Sequence, residues 1–302
     1  MIMQTDYEVI IIGGSYSGLS AAMALGRSRR KVLIIDSGKP CNRHTPHSHN
    51  FITNDGKTPA DIALRAKQEV LAYPTVNFMN DKVTNVVKAE DSFSITTQNN
   101  VVCSAKRLLF ATGVTDIMPA IDNFEDCWGI SAVHCPYCHG YEARDKKTGI
   151  LGNGEAAYHY AGLLLQLTND ITIYTNGNAD FTEEQLEKFT KHNIAIIEDN
   201  IIKLKQSKGQ AEALISRNGK AHLLEAVYHR ADFVQHTLLP QNLGCELDEN
   251  GYIKTDPMQK TNIPGIYACG DCTTPMRSVA TAVATGNKAG AVINGELAFE
   301  VF

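Results

Sequence analysis

The chain has 302 residues, 43% of them apolar and 20% charged, and its 28 basic against 33 acidic side chains leave a net charge of −5. That composition belongs to a globular protein with volume for one large core or two ordinary ones, and it excludes a disordered or fibrous chain. Without a basic surplus to neutralise phosphates, no nucleic-acid partner is expected, and no run approaches the roughly 18 apolar residues of a membrane span. The start, MIMQTDYEVIIIGG, passes from a polar stub straight into an apolar run. It lacks the basic region, long apolar core and small-residue cleavage site of a secretion signal, so a cytoplasmic protein is expected.

In chain order, the pattern predicts a strand at 7–12, a glycine turn at 13–18, a helix over 19–25 and a strand at 31–36. A helix over 59–72 follows, then short alternating strands around 76–78, 83–88, 92–97 and 101–103, and a strand at 107–110 that runs into Ala111-Thr112-Gly113. The strand–glycine turn–helix order then recurs once, with a strand at 148–151, a turn at 152–157, a helix over 158–167 and a strand at 171–174. Beyond it lie a helix near 183–192, strands between 194 and 235, the segment Gly265-Ile266-Tyr267-Ala268-Cys269-Gly270-Asp271 and a small-residue helix over 279–295. Two βαβ units predict an α/β chain with two Rossmann-like three-layer domains. Proline and glycine interrupt the pattern near 114–120 and 239–244. The second unit is therefore read as an insertion at 118–243 into an outer domain made of 1–117 and 244–302.

A glycine turn after a strand binds a dinucleotide because its backbone can approach the pyrophosphate and the following helix presents its N-terminus to the negative charge. In the first turn Gly13 and Gly18 fit, and Ser15 stands where the middle glycine belongs. Asp36 ends the next strand at about the distance, some 20 residues on, at which a carboxylate reaches ribose hydroxyls. The second turn has Gly152 and Gly154 with Ala157 in the third place. It is followed by Tyr174-Thr175-Asn176-Gly177-Asn178, with neither the carboxylate of an NAD site nor the arginine of an NADP site. The frame of a nicotinamide domain is present and its discriminating contacts are missing, so NADP(H) binding there is in doubt.

The sharpest motif is His134-Cys135-Pro136-Tyr137-Cys138-His139-Gly140. Cysteines three apart at the start of a helical turn can close a small disulfide, and a helix N-terminus favours the thiolate. His139 can take the proton released when a thiol becomes a nucleophile. The spacing also suits covalent haem, which normally requires export, a zinc knuckle, which lacks a second ligand pair here, and a plain buried pair. The redox pair is the favoured reading, and no metal is expected. The remaining cysteines, Cys269 and Cys272 included, are read as small packed residues. His44, His47 and His49 are read as loop residues rather than ligands. Trp128 and Tyr137 are taken as packing residues near the site, with a part in shaping the substrate pocket as the alternative for Tyr137.

The N-terminal GGSYSGLSAA, the central CxxC, the inserted GxGxxA turn and the late TNIPGIYACGD together resemble the low-molecular-weight thioredoxin reductase family, in the same order and across essentially the whole chain. The resemblance implies FAD in the split outer domain, a pyridine-nucleotide domain carrying the CxxC, and a homodimer. It places Gly13, Gly14, Ser15, Gly18, Asp36, Ser37, Asn42 and Arg43 at the ADP half of FAD. Thr112, Gly113, Gly270 and Asp271 would lie along its pyrophosphate and ribityl chain, with Asn50, Ser278, Val279 and Ala280 near the flavin. Two departures stand out: His139 replaces the aspartate that follows the second cysteine, and the arginine-rich NADPH motif is absent. Both resemble the dithiol oxidase branch, the gliotoxin- and holomycin-type enzymes with CxxCHG. That branch implies oxidation of a dithiol through Cys135 and Cys138 to FAD without NADPH, with a small dithiol or a thioredoxin-like protein as partner. The alternative is an NADPH-dependent thioredoxin reductase in which a residue such as Lys188 supplies the missing cation.

Overall fold

The computed structural model describes residues 6–302; the polar start 1–5, on which the expectation about a secretion signal partly rests, lies outside the described residues. The first elements are β1 (Tyr7–Ile12), α1 (Tyr16–Arg27), β2 (Val32–Asp36), α2 (Pro59–Leu71), β3 (Val76–Asn80), β4 (Val83–Lys88), β5 (Phe93–Thr97), β6 (Val102–Phe110) and β7 (Val114–Ile117). Next come α3 (Phe124–Cys127), β8 (Ala132–Val133), α4 (Pro136–His139), β9 (Thr148–Leu151), α5 (Gly154–Leu164), β10 (Ile171–Tyr174), α6 (Glu183–Lys191) and β11 (Ala195–Ile197). The chain continues with β12 (Ile201–Ser207), β13 (Gln210–Ser216), β14 (Ala221–Leu223), β15 (Ala226–His229), β16 (Asp232–Gln235), α7 (Leu239–Asn242), β17 (Ile266–Ala268) and α8 (Val279–Phe299).

Contacts divide the chain into two compact units. The first runs up to Arg43 and adds Pro59–Thr115 and Val234–Phe302; the second is His44–Thr58 with Asp116–Phe233. The loop 44–58, left in the outer domain by the sequence division, packs with the second unit. Ser48 and Lys57 close it by an antiparallel bridge, and His49 lies against Glu142. The stretch around 114–120, where glycine and proline interrupt the pattern, contains strand β7, which pairs with β16.

In the first unit the sheet order is β3-β2-β1-β6-β5-β4, with β17 also on β6. Strand β1 runs parallel to both β2 and β6. Strict alternation distributes its side chains: Ile10 and Ile12 enter one apolar cluster with Leu33, Ile35, Leu108 and Phe110, while Val9 and Ile11 enter the other with Val32, Ile34 and Leu109. A strand buried on both faces reads as a continuous apolar run, and each such side chain contributes roughly 1.5–3 kcal/mol of burial. The two strands predicted at 101–103 and 107–110 are one. Cys103 and Ala105 stay buried between partly or fully exposed neighbours, so the period of two continues through Lys106. The near half of β6 pairs antiparallel with β5 and its far half parallel with β17.

Helix α1 packs on α8 through small residues. A Cβ at Gly286 would fall 2.1 Å from the Ser17 carbonyl oxygen, and one at Gly290 would fall 2.5 Å from that of Ala21. The glycines in this small-residue helix therefore set a close helix–helix approach.

The second unit holds a parallel sheet in the order β11-β10-β9-β15-β8 and an antiparallel sheet β12-β13-β14. Phe124, Trp128, Tyr174 and Leu214 belong to one of its apolar clusters, and Ile150, Ala157, Leu164 and Phe189 to the other. Helix α5 begins at Gly154 and ends at Leu164, earlier at both ends than the predicted 158–167. Asn153 caps it, accepting from the Gly154 N–H with its own side chain, so the helix starts inside the glycine turn.

Candidate active site

Cys135 and Cys138 are joined in a disulfide, with their Cα atoms 5.3 Å apart. Pro136 opens the short helix α4, where its fixed φ suits the first helical position and its missing N–H costs nothing. Cys135 is the N-cap residue, and its Sγ accepts the Cys138 N–H at 3.1 Å. Both cysteines are half-buried, whereas Tyr137 between them and Tyr141 beyond them are each 67% exposed. Tyr137 therefore does not pack as the sequence reading supposes; it stands beside the disulfide facing solvent.

His139 follows directly, and its Nδ1 is buried without a hydrogen bond among the described residues. Burial pushes its pKa below the ordinary imidazole value; the Glu142 carboxylate and the Cys135 backbone pull it upward, and His49 opposes them. Burial thus favours the uncharged ring beside the disulfide. Gly140 has an ordinary helical φ of −66°. A Cβ there would fall 2.3 Å from the Pro136 carbonyl oxygen and 2.5 Å from Leu167. The glycine is needed for close approach, and the sequence analysis gave it no role. Trp128 is buried, stacks on His134 at 6.0 Å between ring centroids, and donates from Nε1 to Asp116 at 3.3 Å.

In the first unit, the residues predicted to line a dinucleotide lie at the carboxyl ends of the parallel strands: Gly13 after β1, Asp36 at the end of β2, Thr112 after β6 and Gly270 after β17. That edge of an open α/β sheet is where ligands bind. Gly13 has φ +106°, and a Cβ on it would lie 2.2 Å from the Ala111 carbonyl oxygen. On Gly18 a Cβ would meet the Gly13 carbonyl oxygen at 1.9 Å, and on Gly14 it would meet Phe78 at 2.7 Å. Ser15 is the N-cap of α1, and among the described residues no side chain caps that terminus. Asp36 Oδ1 accepts the Gly38 N–H at 3.2 Å, and Ser37 is exposed beside it. Asn42 donates to the Tyr16 hydroxyl at 3.1 Å, and Arg43 to the Pro40 carbonyl at 3.1 Å. Gly113 is left-handed at φ +65°, and the Asp271 carboxylate lies 3.9 Å from the Arg277 guanidinium. Ser278 caps α8, accepting the Thr281 N–H at 3.1 Å, with Val279 and Ala280 opening that helix. Asn50 lies in the 44–58 loop of the second unit, where its N–H donates to Asp55 at 2.8 Å.

The second glycine turn is built differently. The Asn153 Oδ1 accepts the N–H groups of Gly154 and Asp180, each at 2.9 Å, and its amide donates to the Asn178 carbonyl at 2.8 Å. Asp180 Oδ2 lies 3.7 Å from where a Cβ on Gly154 would be. The Asn153 side chain therefore occupies an N–H of the helix terminus that would receive an anion, and an exposed carboxylate lies near that terminus. Asn176 Oδ1 accepts the Ile201 N–H at 2.7 Å, and Lys188 is engaged by Glu184 at 2.7 Å and the Tyr158 hydroxyl at 2.9 Å. Asp180 was given no role in the sequence because only tertiary contact brings it to Asn153.

The sequence profile described as pyridine nucleotide-disulphide oxidoreductase matches residues 7–286. The chain belongs to the pyridine nucleotide-disulphide oxidoreductase family. The thioredoxin reductase tcpT of Claviceps purpurea is 30% identical to it, over 96% of this chain and 94% of its own. The crystal structure of an oxidoreductase from Agrobacterium tumefaciens is 34% identical with a TM-score of 0.91, covering 97% of this chain and 99% of that one. The structure of HlmI is 30% identical with a TM-score of 0.92, covering 98% and 93%.

This pyridine nucleotide-disulphide oxidoreductase is a thioredoxin reductase-like flavin enzyme whose cofactor is FAD. The first glycine turn fits the cofactor: its two tightest glycines leave no room for side chains, and the α1 terminus has no capping side chain of its own. Cys269 and Cys272 are fully buried free thiols, one in each of the first unit's two apolar clusters. Burial pushes the Cys272 thiol up to about 11 and the Cys269 thiol higher still. Among the described residues, no three His, Cys, Asp or Glu side chains gather as for a metal ion, and no helix is long and apolar enough to cross a membrane.

Proposed function

We propose that this enzyme oxidises a dithiol to a disulfide through Cys135 and Cys138, independently of NADPH. The observation that carries the second half of that reading is the occupied helix terminus of the second turn, where Asn153 and Asp180 stand in the path of a pyrophosphate. The sequence likeness to the CxxCHG dithiol oxidases supports the first half.

His139 takes the proton of a substrate thiol, since thiolate and not thiol is the attacking form. The thiolate attacks Cys135 Sγ, the Cys135–Cys138 bond breaks, and Cys138 leaves as a thiolate. The second substrate thiol, once deprotonated, attacks the substrate sulfur of the mixed disulfide. The product disulfide forms, Cys135 is released as a thiolate, and two electrons and two protons have left the substrate. FAD, when bound, accepts that electron pair from the reduced cysteines and so permits the disulfide to re-form. Gly13, Gly14, Ser15, Gly18, Asp36, Ser37, Asn42 and Arg43 would hold its ADP half; Thr112, Gly113, Gly270 and Asp271 its middle; and Ser278, Val279 and Ala280 its flavin end. The family likeness supports a homodimer acting on a small dithiol or a thioredoxin-like protein.

The test is anaerobic. The yellow protein is mixed in separate cuvettes with NADPH, NADH and a small dithiol such as dithiothreitol. Bleaching by the dithiol alone, with colour returning on admission of oxygen, is the expected result. Bleaching by NADPH within seconds would replace this reading with that of an NADPH-dependent thioredoxin reductase.

A further inference from the structure

His134 directly precedes Cys135, and two aromatic side chains hold it from different elements of the second unit. Tyr160 on α5 donates its hydroxyl to the His134 carbonyl oxygen at 2.6 Å. Trp128, directly after α3, stacks on the His134 imidazole with 29° between the ring planes, and its own Nε1 is tied to Asp116. Packing keeps both rings in place. Tyr160 is 9% exposed and lies in one apolar cluster with Val133, Ala157 and Leu164, while Trp128 is 8% exposed and lies in the other with Phe124 and Leu151.

The carbonyl matters because of what shares its peptide. The His134 C=O and the Cys135 N–H lie in one rigid plane, so a bond to that oxygen fixes the plane from which Cys135 projects. On the far side, the Cys135 carbonyl accepts the N–H groups of Cys138 and His139, at 3.2 and 3.1 Å. Both peptide planes that flank Cys135 are therefore anchored, with its backbone extended at φ −114° and ψ 107°. That sets the Cα–Cβ direction of Cys135, towards a cysteine whose Cα is 5.3 Å away.

We propose that Tyr160 is a positioning residue for the redox pair: its bond to His134, backed by the Trp128 stack, keeps Cys135 aimed at Cys138 when the disulfide is open. Thiols held within reach of one another close at a high effective concentration, because little freedom remains to be lost. The clasp therefore favours the disulfide over the dithiol. This goes beyond the proposed oxidation, since it acts on the pair whichever way electrons run through it.

The FAD-loaded protein is equilibrated anaerobically with mixtures of reduced and oxidised glutathione and quenched with an alkylating agent. The peptide carrying Cys135 and Cys138 is then analysed by mass, and flavin absorbance in the same samples counts the electrons held on FAD. Two glutathione thiols give two electrons and two protons to the Cys135–Cys138 disulfide, leaving two cysteine thiols and glutathione disulfide. Tyr160→Phe removes the hydroxyl and keeps the ring, and it should shift this equilibrium about threefold towards the dithiol. Trp128→Phe offers a smaller ring to the stack and should shift it the same way by a smaller factor; it carries the test if the Tyr160 variant does not fold. Tyr158→Phe is the control. It removes another hydroxyl from α5, one bonded to Lys188, and should leave the equilibrium where it is. An unmoved equilibrium in Tyr160→Phe, or in Trp128→Phe where that variant carries the test, overturns the proposal, and so does an equal shift in Tyr158→Phe. No turnover is required, so reduction of the flavin by NADPH would overturn the proposed oxidation and leave this result to be decided separately.

Discussion

Replacing Asp180 by asparagine removes one negative charge from the α5 terminus and keeps the side chain's size. Its Oδ2 sits 3.7 Å from the Cβ position of Gly154, the point at which a pyrophosphate would approach the second turn. Two unit charges about 4 Å apart repel by roughly 1 kcal/mol in water and roughly 4 kcal/mol at an effective dielectric of 20. Asp180 is exposed, so the lower part of that range applies, and the expected gain in NADPH affinity is about tenfold. Binding is measured anaerobically by isothermal titration with NADPH at two ionic strengths. The asparagine protein should bind about ten times more tightly than the unsubstituted one at low salt, with the difference shrinking as salt rises. Its affinity should still be weak, because Asn176 is tied to Ile201 and Lys188 to Glu184 and Tyr158, leaving the 2′-phosphate without a cation. Tight NADPH binding by the unsubstituted protein, or no change on substitution, would refute the argument that this carboxylate blocks the turn.

Cys138→Ser should abolish dithiol turnover while leaving the purified protein yellow, which an absorbance spectrum and an oxygen-uptake trace decide together. Gly18→Ala puts a methyl group 1.9 Å from the Gly13 carbonyl oxygen, so it should purify with little FAD, measured from the flavin-to-protein absorbance ratio. Gly140→Ala, with its 2.3 Å approach to Pro136, should cost about 1–3 kcal/mol and lower the melting temperature of the oxidised protein. For pH, burial lowers the His139 pKa, so the neutral base persists below the ordinary value of about 6.5 and the acid limb of kcat should lie beneath that pH. The same depression opposes protonation in the folded state, so the stability it contributes is lost as pH falls from the unfolded value through the folded one. A kcat profile and urea titrations across pH 4.5–7.5 check both; an acid limb above about 6.5 would contradict the burial of the ring.

Much of the frame was legible because it is local. The alternation in Tyr7–Ile12 and the glycines at 13 and 18 announce a strand, a tight turn and a close helix from neighbours in the chain. Cys135 and Cys138 likewise need only their spacing and Pro136 to form a disulfide at a helix start. The strand division at Lys106 was misread, since a single lysine looks like an interruption until its neighbours are seen to keep alternating between core and edge.

The sequence by itself determined the two βαβ units, the spacing of Cys135 and Cys138, the histidine beside them and the absence of arginine or lysine directly after the second turn. Tertiary structure alone decided three other matters. It brought Asp180 to the terminus of α5, although 26 residues separate it from Gly154. It laid the 44–58 loop on the second unit, so that His49 meets Glu142 rather than standing in the outer domain. It also brought the Leu167 side chain to 2.5 Å from where a Cβ on Gly140 would fall. Periodicity and turn chemistry are set by residues a few positions apart, whereas an electrostatic field or a steric limit depends on whichever distant segment the folded chain places there.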